Sequence, residues 1–176
     1  MKLPVPDLAE VRQRLERLGA RCVQPVLFEE NWVLDDVSGT LAGAGELLRL
    51  RQWGPESTLT YKGPARFAAG VKSRTELETT VGDASAMRQI LGALGLAPVR
   101  RYQKRREVWR LAGGVVALDE TPIGCFVELE GDLGLLLPLA ARLDLDPATA
   151  VRGTYLDLWR SYRAAHPDAP ADMVFP

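Results

Sequence analysis

Short alternating runs of like charge are the most chemically pointed feature of this sequence. Arg49 and Arg51 flank Leu50, and Lys104 and Arg106 flank Arg105. Glu128 and Glu130 flank Leu129, and Lys62 stands immediately before Gly63-Pro64. Across residues 71–81 one alternating set reads Lys72, Arg74, Glu76, Glu78, and the other Val71, Ser73, Thr75, Leu77, Thr79, Val81. On a strand, residues two apart share a face. For any single strand, charge on one face describes a half-solvated antiparallel sheet. Two features together weigh against that reading. The faces are nearly all charge, where solvated faces usually mix in Ser, Thr and Gln. The signs are also grouped by strand, where surface pairs would more usually alternate. Grouped cations suit phosphate oxygens, and grouped carboxylates suit hard divalent cations. Turned inward, such faces cannot be dry, because unpaired buried charge is too costly. They would line a water-filled cavity for a polyanion and metal ions. Alternation alone leaves inside and outside open.

The elements that carry these runs are readable from punctuation. Residues 7–18 read as a helix: Asp7 caps it, Glu10 sits three positions later, and Gly19 ends it. Residues 83–94 repeat that plan with Asp83 and Gly95, so DLAEVRQRLERLGA and DASAMRQILGALGL look like copies of one unit. Strand patterns cover 23–34, 46–53, 57–62, 71–81, 99–111, 115–118 and 126–130, separated by Gly- and Pro-containing turns. Asp35 and Asp36 are read as the start of a turn rather than as ligand contacts. Residues 133–143 turn helical again around Pro138, and Tyr155, Leu158, Trp159 and Tyr162 recur at helical spacing. Cys22 and Cys125 are expected as small core residues and each tryptophan as core packing. The tail HPDAPADMVFP, residues 166–176, reads as loosely held. No linker splits the chain, so residues 1–165 read as one domain. Many strands and few helices predict an antiparallel barrel or curved sheet with helices outside.

Composition narrows the function. The 176 residues carry 22 Lys and Arg against 23 Asp and Glu, a net charge of -1, which argues against broad nucleic-acid binding. A hydrophobic content of 47% excludes a disordered chain. No apolar run approaches the roughly 18 residues that span a bilayer. With 2 cysteines and no secretory leader at residues 1–6, a cytoplasmic setting is expected. His166, the single histidine, leaves little room for His-based triads or zinc sites.

At LLRLR, TYKGP, VKSRTELE, QKRREVW and LDETPIGCFVELEG the sequence closely resembles the CYTH family, the triphosphate tunnel metalloenzymes. The similarity runs in order from residue 2 to residue 155. That family includes class IV adenylate cyclases, thiamine triphosphatases, inorganic tripolyphosphatases and capping-type RNA triphosphatases. The resemblance implies an α+β fold: an eight-stranded antiparallel β-barrel enclosing a charged tunnel, with helices packed outside. It implies that Arg49, Arg51, Lys62, Lys72, Arg74, Lys104 and Arg106 hold a triphosphate. It implies that Glu76, Glu78, Asp119, Glu128 and Glu130 coordinate Mg²⁺ or Mn²⁺, with Lys2, Glu76 and Asp119 as the catalytic set. Lys2 aligns with the lysine of the family's opening Glu-x-Glu-x-Lys, so both glutamates would precede Met1, and a start read a few codons late is expected. The implied function is a metal-dependent enzyme grouped with class IV adenylate cyclases, with a triphosphatase as the alternative. Without the Glu-x-Glu, a non-catalytic polyphosphate-binding or nucleotide-binding module is the second alternative. The partner is a small-molecule triphosphate, no membrane is involved, and a homodimer is compatible with the family.

Overall fold

Three of the described α-helices begin where the sequence supplies a side-chain cap. In the computed structural model, which describes residues 1–68 and 71–176, the Ala9 amide donates to Asp7 Oδ1 at 2.9 Å and opens α1 (Leu8–Arg17). The short α2 (Thr40–Gly43) follows a turn organised by Asp35 and Asp36. Ala86 N donates to Asp83 Oδ1 at 2.9 Å to open α3 (Ala84–Ala93). The fourth helix, α4 (Leu133–Arg142), contains Pro138, and a Thr154/Asp157 capping box opens α5 (Tyr155–Ala165).

The strands are β1 (Lys2–Val5), β2 (Arg21–Asp35), β3 (Leu47–Trp53), β4 (Glu56–Lys62), β5 (Arg66–Ala68), β6 (Val71–Ser73), β7 (Glu76–Thr80), β8 (Ala97–Leu111), β9 (Gly114–Thr121) and β10 (Gly124–Glu130). Eight of them form one sheet in the order β1-β10-β9-β8-β2-β3-β4-β7, while β5 and β6 form a separate hairpin. The eight-stranded antiparallel sheet with helices matches the expected class. The run expected as one strand over residues 71–81 is divided. Its first part, β6, pairs with β5, whereas β7 pairs with β4, so the partner changes at Arg74 and Thr75. Among the described residues no helix is long and apolar enough to cross a membrane.

The chain forms two compact units, Met1–Phe28 with Gln103–Pro176, and Glu29–Tyr102. Each carries one of the two similar helices, α1 in the first and α3 in the second.

In the first unit, register places Leu3, Val127 and Leu118 in one row and Pro4, Phe126, Asp119 and Arg106 in the next. The Leu3 row faces a core closed by Val11 and Leu15 of α1 and Leu139 and Ala140 of α4, all buried. Full burial of each such leucine contributes about 1.5–3 kcal/mol. The adjacent row carries the charges. The tail is anchored rather than loose. Met173 is fully buried, its carbonyl accepts from Gln103 N at 2.8 Å, and Trp159 Nε1 donates to Ala171 O at 3.2 Å. Composition reads the prolines and misses these tertiary contacts. Cys22 is exposed and Cys125 half-buried, so neither is the core residue expected.

In the second unit, Trp32, Leu50, Leu59 and Thr79 make one row and Val33, Arg49, Thr60 and Glu78 the next. The first row packs with Leu34, Val81 and Leu91, the last from α3, into a second core. The alternation read from the sequence is real: apolar residues meet the helix, and the charged set lies on the opposite face.

Candidate functional site

The charged faces are built differently in the two units, and each is described by itself. In the second unit, the pairing of β2, β3, β4 and β7 sets Asn31 beside Arg51 and Thr58, Val33 beside Arg49 and Thr60, and Lys62 beside Glu76. Thr60 Oγ1 donates to Glu78 Oε2 at 2.6 Å, and Arg49 Nη2 donates to Thr60 Oγ1 at 3.3 Å. Glu78 also lies 3.9 Å from Arg49 Nη2 and 3.7 Å from Arg51 Nη2, so it sits between the two arginines. Arg51 Nε donates to Thr58 Oγ1 at 3.2 Å. One step along the sheet, Lys62 Nζ donates to Glu76 Oε2 at 2.8 Å, and Arg74 Nε stands 3.8 Å from Glu76 Oε1. The Lys62 hydrogen bond, helped by the charges of Lys62, Arg74 and Arg49, lowers the pKa of Glu76 against the opposing effect of burial. Six residues expected on triphosphate and metal thus gather here: Arg49, Arg51, Lys62, Arg74, Glu76 and Glu78. The side chain of Lys72 lies outside the described residues.

One acceptor on this face, Glu29, escaped the sequence reading. Glu29 and Asn31 are buried, and Asn31 Nδ2 donates to Glu29 Oε1 at 2.9 Å. Burial works against the Arg49 charge, yet Tyr102, Glu29 and Glu78 raise its pKa. Arg49 Nη1 donates to Tyr102 Oη at 3.4 Å. The signal for Glu29 was its place two residues before Asn31, on the same strand face.

In the first unit, Asp119 is the hub. Both its oxygens accept from Arg106, Nε to Oδ1 at 2.6 Å and Nη2 to Oδ2 at 2.5 Å. Lys104 Nζ lies 3.3 Å from Oδ2, and the Tyr155 hydroxyl donates to the same oxygen at 2.6 Å. Arg106 also pairs with Glu128 through Nη2. Lys2 reaches Glu128 Oε1 at 3.4 Å, with its ammonium 3.6 Å from the centroid of the Tyr155 ring. Burial would raise the pKa of Asp119, but the Arg106 hydrogen bonds and the charges of Lys104 and Arg106 outweigh it and hold the carboxyl at about 2. Burial first, then the charges of Asp119 and Glu128, push the Tyr155 hydroxyl far above its ordinary range. Glu130, two residues beyond Glu128, is exposed and outside this cluster. Tyr155 was legible only as one aromatic of a helical stripe.

Every carboxylate in these clusters serves as counterion to a cation. An incoming polyanion can take over Lys and Arg donors and release carboxylate oxygens, most readily at Glu76 and Glu78, whose side chains are 47% and 46% exposed. Among the described residues no three His, Cys, Asp or Glu gather into a ready-made cation cage. The carboxylates present are hard oxygen ligands, of the kind divalent cations take in ones and twos while completing their shell with water and substrate phosphate.

Asp35 behaves as expected of a turn residue. Its oxygens accept from Asp36 N, Leu41 N and Ala42 N at 2.8, 2.9 and 2.9 Å.

Comparison with known proteins gives likenesses of three kinds: a family pattern, a related sequence and solved structures. The sequence pattern of the CYTH domain matches residues 1–134. A protein of Methanocaldococcus jannaschii named "putative adenylate cyclase" is 25% identical over 169 residues, covering 90% of this chain and 95% of its own. A solved structure from Vibrio parahaemolyticus, also named "putative adenylate cyclase", superposes with a TM-score of 0.77 at 18% identity, covering 91% of this chain and 95% of that one. A Hippeastrum structure described as a "putative adenylyl cyclase" with a dominant triphosphatase activity gives 0.66 at 17% identity, covering 92% and 94%. At these identities the two solved structures establish the fold.

Proposed function

This chain belongs to the CYTH domain family, and from that premise we propose that it is a metal-dependent enzyme acting on a small triphosphate compound. The observation that carries the reading is the set of Arg49, Arg51, Lys62 and Arg74 around Glu76 and Glu78 in the second unit. Their counterions are partly exposed and exchangeable, as a site for a transient polyanion requires.

In this reading Arg49 and Arg51 bind non-bridging phosphate oxygens through planar guanidinium forks, and Lys62 acts as a compact point charge. The family resemblance also assigns Lys72 and Arg74 of the second unit, and Lys104 and Arg106 of the first, to phosphate binding. Glu76, Glu78, Glu128 and Asp119 are the oxygen ligands available to Mg²⁺ or Mn²⁺. When bound, the cation neutralises charge on the phosphate oxygens. The remainder of the work is alignment, since phosphoryl and nucleotidyl transfer ask little covalent chemistry of the protein. By the same resemblance, we assign catalytic roles to Lys2 and Asp119 of the first unit and to Glu76 of the second.

Two reactions fit this chemistry. In the first, the ribose 3′-oxygen of ATP attacks the α-phosphorus and pyrophosphate leaves, giving cyclic AMP. The adenylate cyclase names of the archaeal and Vibrio relatives support it. In the second, water attacks the terminal phosphorus and orthophosphate leaves. The triphosphatase activity described for the Hippeastrum protein supports that one. Incubation with ATP, thiamine triphosphate and inorganic tripolyphosphate in Mg²⁺ or Mn²⁺ separates them. Cyclic AMP supports the cyclase and orthophosphate the triphosphatase. Tight binding without product makes the chain a binding module, and no binding at all overturns the reading.

A further inference from the structure

Tyr155 is the first residue of α5 and is 6% exposed. It lies among the residues assigned to chemistry, on the charged side of the first unit. Its hydroxyl donates to Asp119 Oδ2 at 2.6 Å. The Lys2 ammonium stands 3.6 Å from its ring centroid and the Lys104 ammonium 5.3 Å. The ring edge of Phe126, from the Asp119 row of the sheet, packs on it at 5.4 Å and 73°.

The backbone beside Tyr155 is held just as firmly. Lys2 Nζ donates to Gly153 O at 3.3 Å. Thr154 N and Thr154 Oγ1 donate to Asp157 Oδ2 at 2.9 and 2.7 Å, which fixes the first turn of α5. Gly153 has a φ of +96°, and a side chain there would press on Asp157, so the approach to the helix is restricted as well.

Packing alone does not account for a phenol at this position. A phenylalanine would fill the same space against Phe126 without bringing a hydroxyl that has to be satisfied. The hydroxyl here meets an ionised carboxylate, the stronger kind of hydrogen bond. The face of the ring meets two ammonium groups, which its quadrupole attracts most when they are desolvated. The two halves of one side chain therefore act on Asp119 and on Lys2.

We propose that Tyr155 is a positioning residue for the reaction assigned above, and the proposal rests on that reading. Its hydroxyl sets the orientation of the Asp119 carboxylate, and its ring holds the Lys2 ammonium in place. It acts through those residues and does not touch the substrate. The two roles separate by substitution, because Tyr155→Phe removes only the hydroxyl and Tyr155→Leu removes the ring as well.

The test is steady-state kinetics of wild type, Tyr155→Phe and Tyr155→Leu on whichever of ATP, thiamine triphosphate or tripolyphosphate the wild type turns over best. Thermal unfolding is followed in parallel. Tyr155→Phe is expected to remain folded and to lose about ten- to a hundredfold in kcat, with KM within about twofold of wild type. Tyr155→Leu is expected to lose more, and the ring-retaining phenylalanine is the partial rescue. Full activity in Tyr155→Phe overturns the proposal, as does a loss in kcat matched by the loss of folded protein. A wild type that binds and turns over no triphosphate overturns the functional reading, and this proposal with it. Wild-type turnover with an unaffected phenylalanine variant overturns this proposal alone.

Discussion

Arg106 grips Asp119 with a fork, Nε on Oδ1 at 2.6 Å and Nη2 on Oδ2 at 2.5 Å, while Asp119 itself is fully buried. A lone buried carboxylate would be raised in pKa, and this one is held at about 2. The folded value lies below the unfolded value of about 3.9. Its contribution to stability is therefore present above about pH 4 and is lost as pH falls through about 2. The amount is about 2–3 kcal/mol at neutral pH. In urea titrations at stepped pH, wild type is expected to lose that increment across this window and Asp119→Asn to show a flatter profile. Parallel acid curves for the two proteins would contradict the assignment.

The arginines of the second unit lead to a different expectation. Arg51 meets Thr58 and Glu78, and both contacts are partly open to solvent. Removing it costs the fold little, since exposed ion pairs contribute about 0–1 kcal/mol. Its assigned phosphate contact is a charge-assisted one, about 1.5–3 kcal/mol. Arg51→Ala is expected to weaken tripolyphosphate binding in calorimetry about ten- to a hundredfold with a nearly unchanged melting temperature. Arg51→Lys is expected to recover only part of the affinity, because one ammonium cannot reproduce the fork. Equal affinity in wild type and Arg51→Ala would remove Arg51 from the site.

The faces carrying these residues were legible because strand period leaves little freedom. Once Leu50 belongs to the core, Arg49 and Arg51 must lie opposite it. Glu76 and Glu78 share a face by the same period, although Leu77 between them is exposed. What pattern does not record is the partner. The alternation from Lys72 to Glu78 continues unbroken through Arg74 and Thr75, although the backbone there changes from pairing with β5 to pairing with β4. Tyr155 was hidden for a related reason. Helical spacing groups it with Trp159 and says nothing of the fully buried aspartate on a strand 36 residues away in sequence. Met173 and Phe175 were masked by the prolines around them, since composition carries no trace of the Gln103 backbone and side-chain bonds that fasten the tail.

Glu76 and Glu78 provide a test of cation dependence that is separate from phosphate grip. Each is about half exposed and already faces cationic side chains, so replacing its charge leaves no carboxylate stranded in the core. Glu76→Gln and Glu78→Gln are expected to raise the Mg²⁺ or Mn²⁺ concentration giving half-maximal turnover by about tenfold or more. At saturating cation the KM for triphosphate should move far less. Chelation is expected to abolish turnover in wild type, with recovery on adding the cation back. If turnover is unchanged by chelator, the assignment of these carboxylates to a cation fails.

Asp35 is the residue where a ligand role and a structural role make opposite forecasts. Its two oxygens accept three backbone amides, from Asp36, Leu41 and Ala42, and tie the end of β2 to the first turn of α2. The hydrogen bond from Ala42, the largest influence, lowers its pKa against a smaller effect of burial. An asparagine has one acceptor oxygen in place of two, so Asp35→Asn must leave at least one of these amides with a poorer partner or none. We expect a lower melting temperature, with kcat and KM measured well below that temperature close to wild type. A contact with substrate or cation would reverse the pattern, changing KM or cation dependence while the melting temperature held. The turn geometry favours the first outcome, because amide donors already occupy both oxygens and a ligand would have to displace them.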